Sequence, residues 1–258
     1  MNKKILVLCQ YPEGEAAGQR LKYEQYFEYW RGAGYEVVVS PYMNQNLWSV
    51  LFKKGFFVQK MLGVIKGNIL RINDLFRVRK FDIVYIFQWT IPFGSALFDK
   101  LLRILAKNII YDLEDFVFLE GVDSGLSVNP ILKILRSKKG TINLIKFSDY
   151  VITSSPSLND LCKELNQFKQ SIFISSSIDT ERFQVRNFVK KNKKITLGWT
   201  GTQSSRPFLE LLKEPLLELS KERDFKLLII SNFDYEFPQV DLEVIKWNKH
   251  SEIEDLQK

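Results

Sequence analysis

The chain has 258 residues, of which 45% are hydrophobic and 26% are charged, and its formal net charge is +7. This length and composition exclude a disordered chain, a collagen-like repeat and a small disulfide scaffold, and they predict one large globular domain or two small ones. The basic excess favours phosphates, nucleic acid or an anionic membrane as partners.

The cysteine and histidine content limits the kinds of metal site and nucleophilic catalysis that the chain can support. The chain contains two cysteines, Cys9 and Cys162, and one histidine, His250. A single histidine excludes a multi-histidine metal site and argues against Ser/His or Cys/His nucleophilic catalysis. Both cysteines have apolar neighbours, which is typical of small core residues in a reducing compartment.

The first apolar run covers residues 5–9 and ends at Gln10. It is too short for a signal peptide and is typical of a first strand. No stretch of the sequence reaches the ~18 apolar residues that a membrane-spanning helix needs. We therefore expect a soluble or peripheral protein.

Short apolar runs rich in β-branched and aromatic residues predict strands that are buried on both faces. In chain order they lie at 5–9, 37–39, 83–87, 108–111, 150–152 and 172–174. Amphipathic stretches predict helices between them at 19–31, 93–107, 131–147 and 158–168. Strands that alternate with helices in this way predict an α/β fold with a parallel sheet.

A polar, basic segment, VRNFVKKNKK at 185–194, interrupts this alternation. After it, the pattern predicts strands at 195–199, 225–230 and 242–247, a helix at 207–223 and the start of another in SEIEDLQK. We expect an N-terminal Rossmann-like domain at 1–185, a linker at 186–194 and the first part of a second Rossmann-like domain at 195–258. Because a parallel sheet needs further strands to bury its faces, we expect a shortened piece of a longer protein or a short gene.

Residues 49–80 contain eight basic residues and one acid, Asp74, so this segment accounts for the whole net charge. Its apolar residues recur at helical spacing: Phe52, Phe56, Val58, Met61, Leu62, Ile65, Ile69, Ile72 and Phe76. The pattern predicts a basic amphipathic region. Two interpretations stay open, an ordinary solvated helix packed on the sheet and a surface that docks on an anionic membrane leaflet.

The first candidate site is the loop CQYPEGEAAGQR after the first strand. The chain contains neither a G-x-G-x-x-G fingerprint here nor a phosphate-loop motif elsewhere, which disfavours nicotinamide chemistry and P-loop NTPases. Open α/β sheets bind ligands where a strand ends and a helix begins. Gly14, Gly18, Gln19 and Arg20 are therefore candidate ligand contacts, with a plain strand-to-helix turn as the alternative.

The second candidate site is YDLEDF at 111–116, which places Asp112, Glu114 and Asp115 in one loop after a buried strand. Such a cluster suits a general base or an acceptor of hydrogen bonds from sugar hydroxyls. It is weak evidence for a metal, because no histidine accompanies it. A solvated acidic turn is the alternative.

The third candidate site is KITLGWTGTQSSRP at 194–207, a strand followed by a loop of small residues. Ser204 or Ser205 is expected to cap a following helix that has a proline in its first turn. We expect the loop to leave backbone N–H groups free for a diphosphate. Gly201 would allow close approach, and Thr202 and Gln203 would add side-chain donors.

In this order the motifs resemble the retaining glycosyltransferases of family 4, which have the GT-B fold of two facing Rossmann-like domains. The likeness starts at KILVLCQYPEGEAAGQRLKYEQYFEYWRGAGYEVVVS and continues through FDIVYIFQW and the P-F-G of 92–94. IIYDLEDF is similar to the "yDlDD" of a capsule and O-antigen branch. SDYVITSSPSLNDLCKE and SSSIDTERF resemble the family's last strand and hinge, and ITLGWTGTQSS resembles its "igWiGs" donor loop.

The resemblance implies retaining transfer of a sugar from a nucleotide-sugar to a glycan or lipid-linked acceptor, in surface polysaccharide synthesis and without a metal or other cofactor. It implies that Asp112 and Asp115 are catalytic residues on the acceptor side and that the loop around Gly18 faces the acceptor or the donor phosphates. The donor-binding residues that it implies are Gly198, Trp199, Thr200, Gly201, Thr202 and Gln203.

The sequence also departs from the family. It lacks the histidine that many members carry near the transferred sugar, and the family's E-x-x-x-x-x-x-x-E motif and diphosphate-neutralising basic residue would fall beyond Lys258. Arg206 is the one cation near the donor loop in the sequence. We therefore expect the chain as it stands to have little or no transfer activity.

The leading hypothesis is a cytoplasmic glycosyltransferase that residues 49–80 hold at the anionic inner face of the membrane. The alternative is a non-catalytic, shortened glycosyltransferase homologue that acts as a binding module through the exposed edge of its second domain. Nucleic acid is not expected as a partner, because the sequence shows neither a zinc pattern nor a helix-turn-helix.

Overall fold

The computed structural model describes residues 3–51, 53–92, 96–116, 138–184, 194–203 and 205–257. The described chain divides into two compact units, the first ending at Ile178 and the second beginning at Asp179. The predicted linker at 186–194 lies outside the described residues except for Lys194. The domain bounds 1–185 and 195–258 therefore stay predictions.

The first unit contains a six-stranded sheet in which every described pair of strands is parallel. Its strands are β1 (Lys3–Cys9), β2 (Tyr35–Pro41), β3 (Ile83–Phe87), β4 (Ile109–Leu113), β5 (Tyr150–Thr153) and β6 (Ser171–Phe173). All six predicted strands are confirmed. Their order is β2-β1-β3-β4-β5-β6, which reverses direction between β1 and β3. The carboxyl ends of these two strands therefore form the switch point at which open α/β sheets bind ligands.

Helices cover both faces of this sheet. They are α1 (Ala17–Lys22), α2 (Phe27–Gly32), α3 (Gln45–Val50), α4 (Phe57–Arg77), α5 (Ala96–Leu105), α6 (Lys138–Phe147) and α7 (Pro156–Leu165). Successive residues of β1 supply the two cores, because Leu6 and Leu8 pack in a cluster with Leu102 of α5, whereas Val7 packs with Phe27 of α2. Residues 93–95 and 131–137, at the starts of two predicted helices, lie outside the described residues.

Both cysteines are buried and neither forms a disulfide, so their predicted role as core residues is confirmed. Burial raises the pKa of the Cys9 thiol and of the Cys162 thiol to about 12. Both thiols therefore stay protonated and unreactive at neutral pH.

Helix α4 packs on the sheet through the face opposite to its apolar one. Its buried residues are Gly63, Gly67, Arg71 and Asp74. A Cβ added to Gly63 would lie 2.8 Å from the Leu47 side chain, so the glycine lets α4 approach α3 closely. Packing on the sheet is thus confirmed, but most of the predicted apolar face points outward; Phe52 lies outside the described residues. No helix within the described ranges is long and apolar enough to cross a membrane.

A buried network, here called the Arg71 cluster (Arg71, Asp74, Ser40 and Arg77), joins α4 to the ends of β1 and β2. The Arg71 guanidinium donates to Asp74 Oδ2 at 2.9 Å, to the Ser40 carbonyl at 3.0 Å and to the Cys9 carbonyl at 2.7 Å. Asp74 also accepts hydrogen bonds from Ser40 Oγ at 2.8 Å and from Arg77 at 2.8 Å. Both charged groups of the buried Arg71–Asp74 pair therefore make several hydrogen bonds.

The second unit contains a three-stranded parallel sheet in the order β7-β8-β9. Its elements are β7 (Ile195–Gly201), α8 (Arg206–Glu210), α9 (Lys213–Glu222), β8 (Phe225–Ser231), β9 (Asp241–Lys246) and α10 (Glu252–Leu256). The prediction of one helix at 207–223 is wrong, because α8 ends before α9 begins. Pro215 explains the break: it cannot donate a backbone hydrogen bond and is tolerated only in the first turn of a helix.

Candidate functional site

Charged side chains meet at the carboxyl edge of the first sheet. Asp112 in β4 is 1% exposed, and its Oδ1 lies 3.6 Å from Nζ of Lys22, the last residue of α1. The other oxygen, Oδ2, accepts a hydrogen bond from the Tyr85 hydroxyl of β3. Glu114 follows β4 directly. We call Lys22, Tyr85, Asp112 and Glu114 the Lys22 cluster.

The environment of the Lys22 cluster raises the pKa of both its carboxyls. Burial raises the pKa of Asp112, and the Lys22 charge and the Tyr85 hydroxyl oppose that shift. Burial likewise raises the pKa of Glu114 to about 7, with Lys22 opposing the shift and the Asp112 charge adding to it. A carboxyl with this pKa can take up and release a proton at neutral pH, as a general acid or base must.

Two buried acceptor atoms beside the end of β3 accept no hydrogen bond from any described residue: Asp112 Oδ1 and Gln10 Oε1. Gln10 follows β1, and its Nε2 donates to the Phe87 carbonyl at 2.9 Å. Phe87 in turn pairs with Asp112 in the register of β3 and β4. Buried acceptors without donors are rare in folded proteins, and their position at the switch point is typical of a ligand site.

Asp115, the other predicted catalytic residue, has different surroundings. It is exposed, whereas the neighbouring Glu114 is partly buried. The Ser154 hydroxyl donates to the Glu114 carbonyl and so connects this loop to the end of β5. The structure therefore brings Asp112 into the Lys22 cluster and leaves Asp115 at the surface.

The loop between β1 and α1 is braced by its own side chains. The Gln19 amide accepts from the Tyr11 N–H at 3.0 Å and donates to the Tyr11 carbonyl at 3.0 Å. Glu24 accepts from the Gly14 N–H at 2.9 Å, and Gly14 has a φ of +78°, which favours glycine. The predicted contacts Gly14 and Gln19 thus take part in shaping the loop.

Gly18 lies beside the Lys22 cluster. It is exposed, and a Cβ added to it would lie 3.8 Å from Glu114 Oε2. Gly18 and Lys22 are four residues apart and therefore share one face of α1. Arg20, the remaining candidate of this loop, is partly buried, and its charge acts to lower the pKa of Glu24.

Glu114 was predicted only as a member of the carboxylate cluster, and Lys22, Tyr85 and Gln10 were not predicted as site residues. Lys22 could have been found from its spacing of four residues from Gly18. Gln10 could have been found from its place directly after the first strand, and Glu114 stood inside the carboxylate cluster. Tyr85 has no such signal, because an aromatic residue is ordinary in a buried strand.

The predicted donor-binding residues lie at the carboxyl end of β7 in the second unit. Gly198, Trp199, Thr200 and Gly201 belong to β7, and Thr202 and Gln203 follow it. A Cβ added to Gly201 would lie 2.5 Å from Ser205 Oγ and still closer to the Trp199 ring. The loop's own packing therefore requires glycine at this position.

Two backbone N–H groups of the donor loop, those of Thr202 and Gln203, already have partners in the loop or nearby. The Thr202 N–H donates to Ser205 Oγ at 2.9 Å, and the Gln203 N–H donates to Asn232 Oδ1 at 2.8 Å. The expectation of free N–H groups is therefore wrong for these two residues. The expected cap by Ser205 is also wrong, because its hydroxyl is engaged by Thr202 and makes no cap hydrogen bond with α8. Ser204 lies outside the described residues.

Arg206, the cation near the donor loop, contacts aromatic and acidic side chains of the second unit. Its guanidinium lies 5.4 Å from the centre of the Phe233 ring and 6.0 Å from that of Tyr235, and its Nε is 3.5 Å from a Glu210 oxygen. Within the described part of the chain, no group of three or more His, Cys, Asp or Glu side chains could hold a metal ion. That the protein needs no metal stays a prediction.

No protein-family model matches the chain, and no curated protein matches it. A solved glycosyltransferase from Rickettsia africae ESF-5 matches with a TM-score of 0.58 and 14% identity, over 99% of this chain and 71% of that one. The catalytic domain of starch synthase IV from Arabidopsis thaliana, bound to ADP and acarbose, matches with a TM-score of 0.58 and 12% identity, over 98% of this chain and 76% of that one. At such identities the likeness concerns the fold alone. The expected α/β, GT-B-like fold class is confirmed, and this chain has the fold of solved glycosyltransferases.

Proposed function

We propose that the protein is a retaining glycosyltransferase of family 4, in the capsule and O-antigen branch. It moves a sugar from a nucleotide-sugar to a glycan or lipid-linked acceptor in surface polysaccharide synthesis, in the cytoplasm or at the inner face of the membrane. The nucleotide-sugar is a substrate, and the proposal includes no metal or other cofactor. The fold shared with solved glycosyltransferases supports this kind of enzyme.

The Lys22 cluster is the observation that carries the proposal. Sugars present many hydroxyl groups, and this cluster offers a carboxyl with a pKa of about 7. Beside it, Asp112 Oδ1 and Gln10 Oε1 are buried and accept no hydrogen bond of ordinary length from a described residue. In the proposed complex Glu114 accepts a hydrogen bond from the reacting hydroxyl of the acceptor. Asp112 positions Lys22 and Tyr85 around it, and the exposed Asp115 binds further hydroxyls of the acceptor.

The donor is proposed to bind at residues 198–203. The exposed side chain of Gln203 supplies a hydrogen bond to the diphosphate, and a bond to a charged group contributes about 1.5 to 3 kcal/mol. Calorimetric titration of UDP, GDP and ADP tests this assignment, because it does not require turnover. We expect saturable binding of at least one nucleotide and an affinity about tenfold lower in Gln203→Ala.

The matched control for that titration is Gln170→Ala, an exposed glutamine of the first unit whose loss should leave nucleotide affinity unchanged. Circular dichroism would establish that all the proteins are folded. If none of the three nucleotides binds the folded wild-type protein, the proposal fails, and the alternative of a non-catalytic binding module gains support.

A further inference from the structure

The outer face of α4 is apolar along the whole helix. Eight bulky side chains on it are between 46% and 81% exposed: Phe57, Val58, Met61, Leu62, Ile65, Ile69, Ile72 and Phe76. We call this set the α4 stripe. Single exposed apolar residues are ordinary on a protein surface, but a contiguous row of this kind marks an interaction site.

The orientation of α4 is enforced by its buried face. Gly67 leaves no room for a side chain, since an added Cβ would lie 2.7 Å from Tyr42. One helical turn further on, Arg71 is fully buried and makes hydrogen bonds to the carbonyls of Cys9, Ser40 and Thr90. A rotation that buried the α4 stripe would break these contacts. The stripe is therefore held outward by the fold.

Helix α5 extends the apolar surface. It contacts α4, and its residues Leu97 and Ile104 are 72% and 74% exposed. The inner side of α5 is ordinary core, with Phe98 and Leu102 buried against the sheet. Two neighbouring helices thus direct apolar side chains outward from the same side of the first unit.

Within residues 53–80, all of which the structure describes, the exposed charges have one sign. The exposed residues Lys53, Lys54 and Lys66 lie before and along α4, and Arg79 and Lys80 follow it. The one acid of residues 49–80 is Asp74, which is fully buried and paired with Arg71 and Arg77. This surface is therefore complementary to an anionic partner. A symmetric contact with a second copy would instead place like charges opposite one another.

We propose that the α4 stripe docks on an anionic lipid membrane, with α4 lying in the plane of the interface. The apolar side chains enter the boundary between headgroups and acyl chains, and the flanking lysines and arginines meet the lipid phosphates. This docking does not depend on sugar transfer, so a test of membrane binding leaves the proposed function untouched.

Vesicle flotation at low salt tests the proposal. We expect the chain to float with vesicles of equal parts phosphatidylglycerol and phosphatidylcholine, and to remain in solution with phosphatidylcholine alone. The variant Ile65→Glu/Ile69→Glu changes two side chains that are about half exposed, and it should lower the partition coefficient more than tenfold, to roughly a tenth or less. Replacing Lys66 or Lys80 by glutamine should lower it about fivefold each.

The matched control is Leu211→Glu, an apolar residue of the second unit that is 73% exposed and should not affect flotation. The glutamine variants keep the test valid if the double glutamate variant fails to fold. Three results would overturn the proposal. The first is no flotation of the wild type at low salt, and the second is equal flotation with uncharged vesicles. The third is sedimentation of the protein as a dimer that is formed through the α4 stripe and does not bind lipid.

Discussion

Two buried ion pairs lie at the carboxyl edge of the same sheet, and they differ in how well their charges are satisfied. In the Arg71 cluster the guanidinium is 2.9 Å from Asp74, and both partners make further hydrogen bonds. In the Lys22 cluster the ammonium is 3.6 Å from Asp112, and one oxygen of Asp112 accepts no hydrogen bond from the described residues. A second carboxyl, Glu114, adds like charge beside it.

This difference distinguishes an ion pair that stabilises the fold from one in a candidate ligand site. A buried charge destabilises the folded state unless it is paired and hydrogen-bonded, so a pair with all its hydrogen bonds made is typical of a structural role. Incomplete satisfaction together with a raised pKa is found more often where a ligand completes the site. This contrast indicates that the Arg71 cluster positions α4, and it supports the proposal that the Lys22 cluster binds substrate.

Breaking the structural pair should have the largest effect. Arg71→Met leaves Asp74 buried with only Arg77 as its ionic partner, and we expect a loss of about 3 to 5 kcal/mol in the free energy of unfolding. Urea denaturation measures this loss. Arg79→Met, at an exposed position, is the control and should change stability by less than about 0.5 kcal/mol. A loss below about 1 kcal/mol for Arg71→Met would contradict its role as a brace.

Asp112→Asn should lower the free energy of unfolding less than Arg71→Met does. The pair with Lys22 is long, and the amide can still accept the Tyr85 hydrogen bond, so we expect a loss of about 1 to 2 kcal/mol by urea denaturation. Asp160→Asn, on the exposed side of α7, is the control for the same chemical change. If Asp112→Asn destabilised the protein as much as Arg71→Met, the two buried ion pairs would contribute equally to stability, and a structural role could no longer be assigned to the Arg71 cluster alone.

Glu114→Gln tests whether the Glu114 carboxyl contributes to the pH dependence of the free energy of unfolding. The folded-state pKa of about 7 lies above the ordinary 4.5, so the folded protein retains a proton that the unfolded chain loses within this window. Stability should therefore fall as the pH rises from 4.5 to 7, by about 1 kcal/mol after solvent screening. Glu114→Gln should remove this part of the slope, and the exposed control Glu164→Gln should retain it. Equal slopes in all three proteins would disprove the assignment.

Asp115→Asn should have the smallest effect. The side chain is exposed, so we expect a change of less than about 0.5 kcal/mol in the free energy of unfolding. A loss above about 1 kcal/mol would show that Asp115 belongs with the buried residues of the cluster.

The strands of the first sheet could be predicted because parallel strands are buried on both faces and therefore give continuous apolar runs such as ILVLC in β1. The carboxylate loop could be located for a related reason, since YDLEDF begins inside such a run and then passes into the acidic residues Glu114 and Asp115. Periodicity also predicted α4, but it does not specify which face is buried. Gly63 and Gly67 decide that through close contacts that no hydrophobic pattern contains.

The details of the sites depended on contacts between residues far apart in the chain. The Gln203 N–H is occupied by Asn232, and Asp112 is paired with Lys22, across separations that no local motif encodes. The motif at 198–203 located the loop but not the state of its amides. In the same way, three carboxylates in one short segment did not show that Asp115 is exposed while Asp112 is buried.

In the proposed function, the Glu114 carboxyl at the carboxyl edge of the first sheet exchanges a proton with a sugar hydroxyl. Carbon-13 NMR of the glutamate carboxyls measures this directly, with Glu114 assigned by comparison with Glu114→Gln. We expect a pKa near 7 for Glu114, and a higher pKa in Lys22→Met because the Lys22 charge lowers it. An ordinary pKa near 4.5 that does not respond to the loss of Lys22 would contradict this role for Glu114.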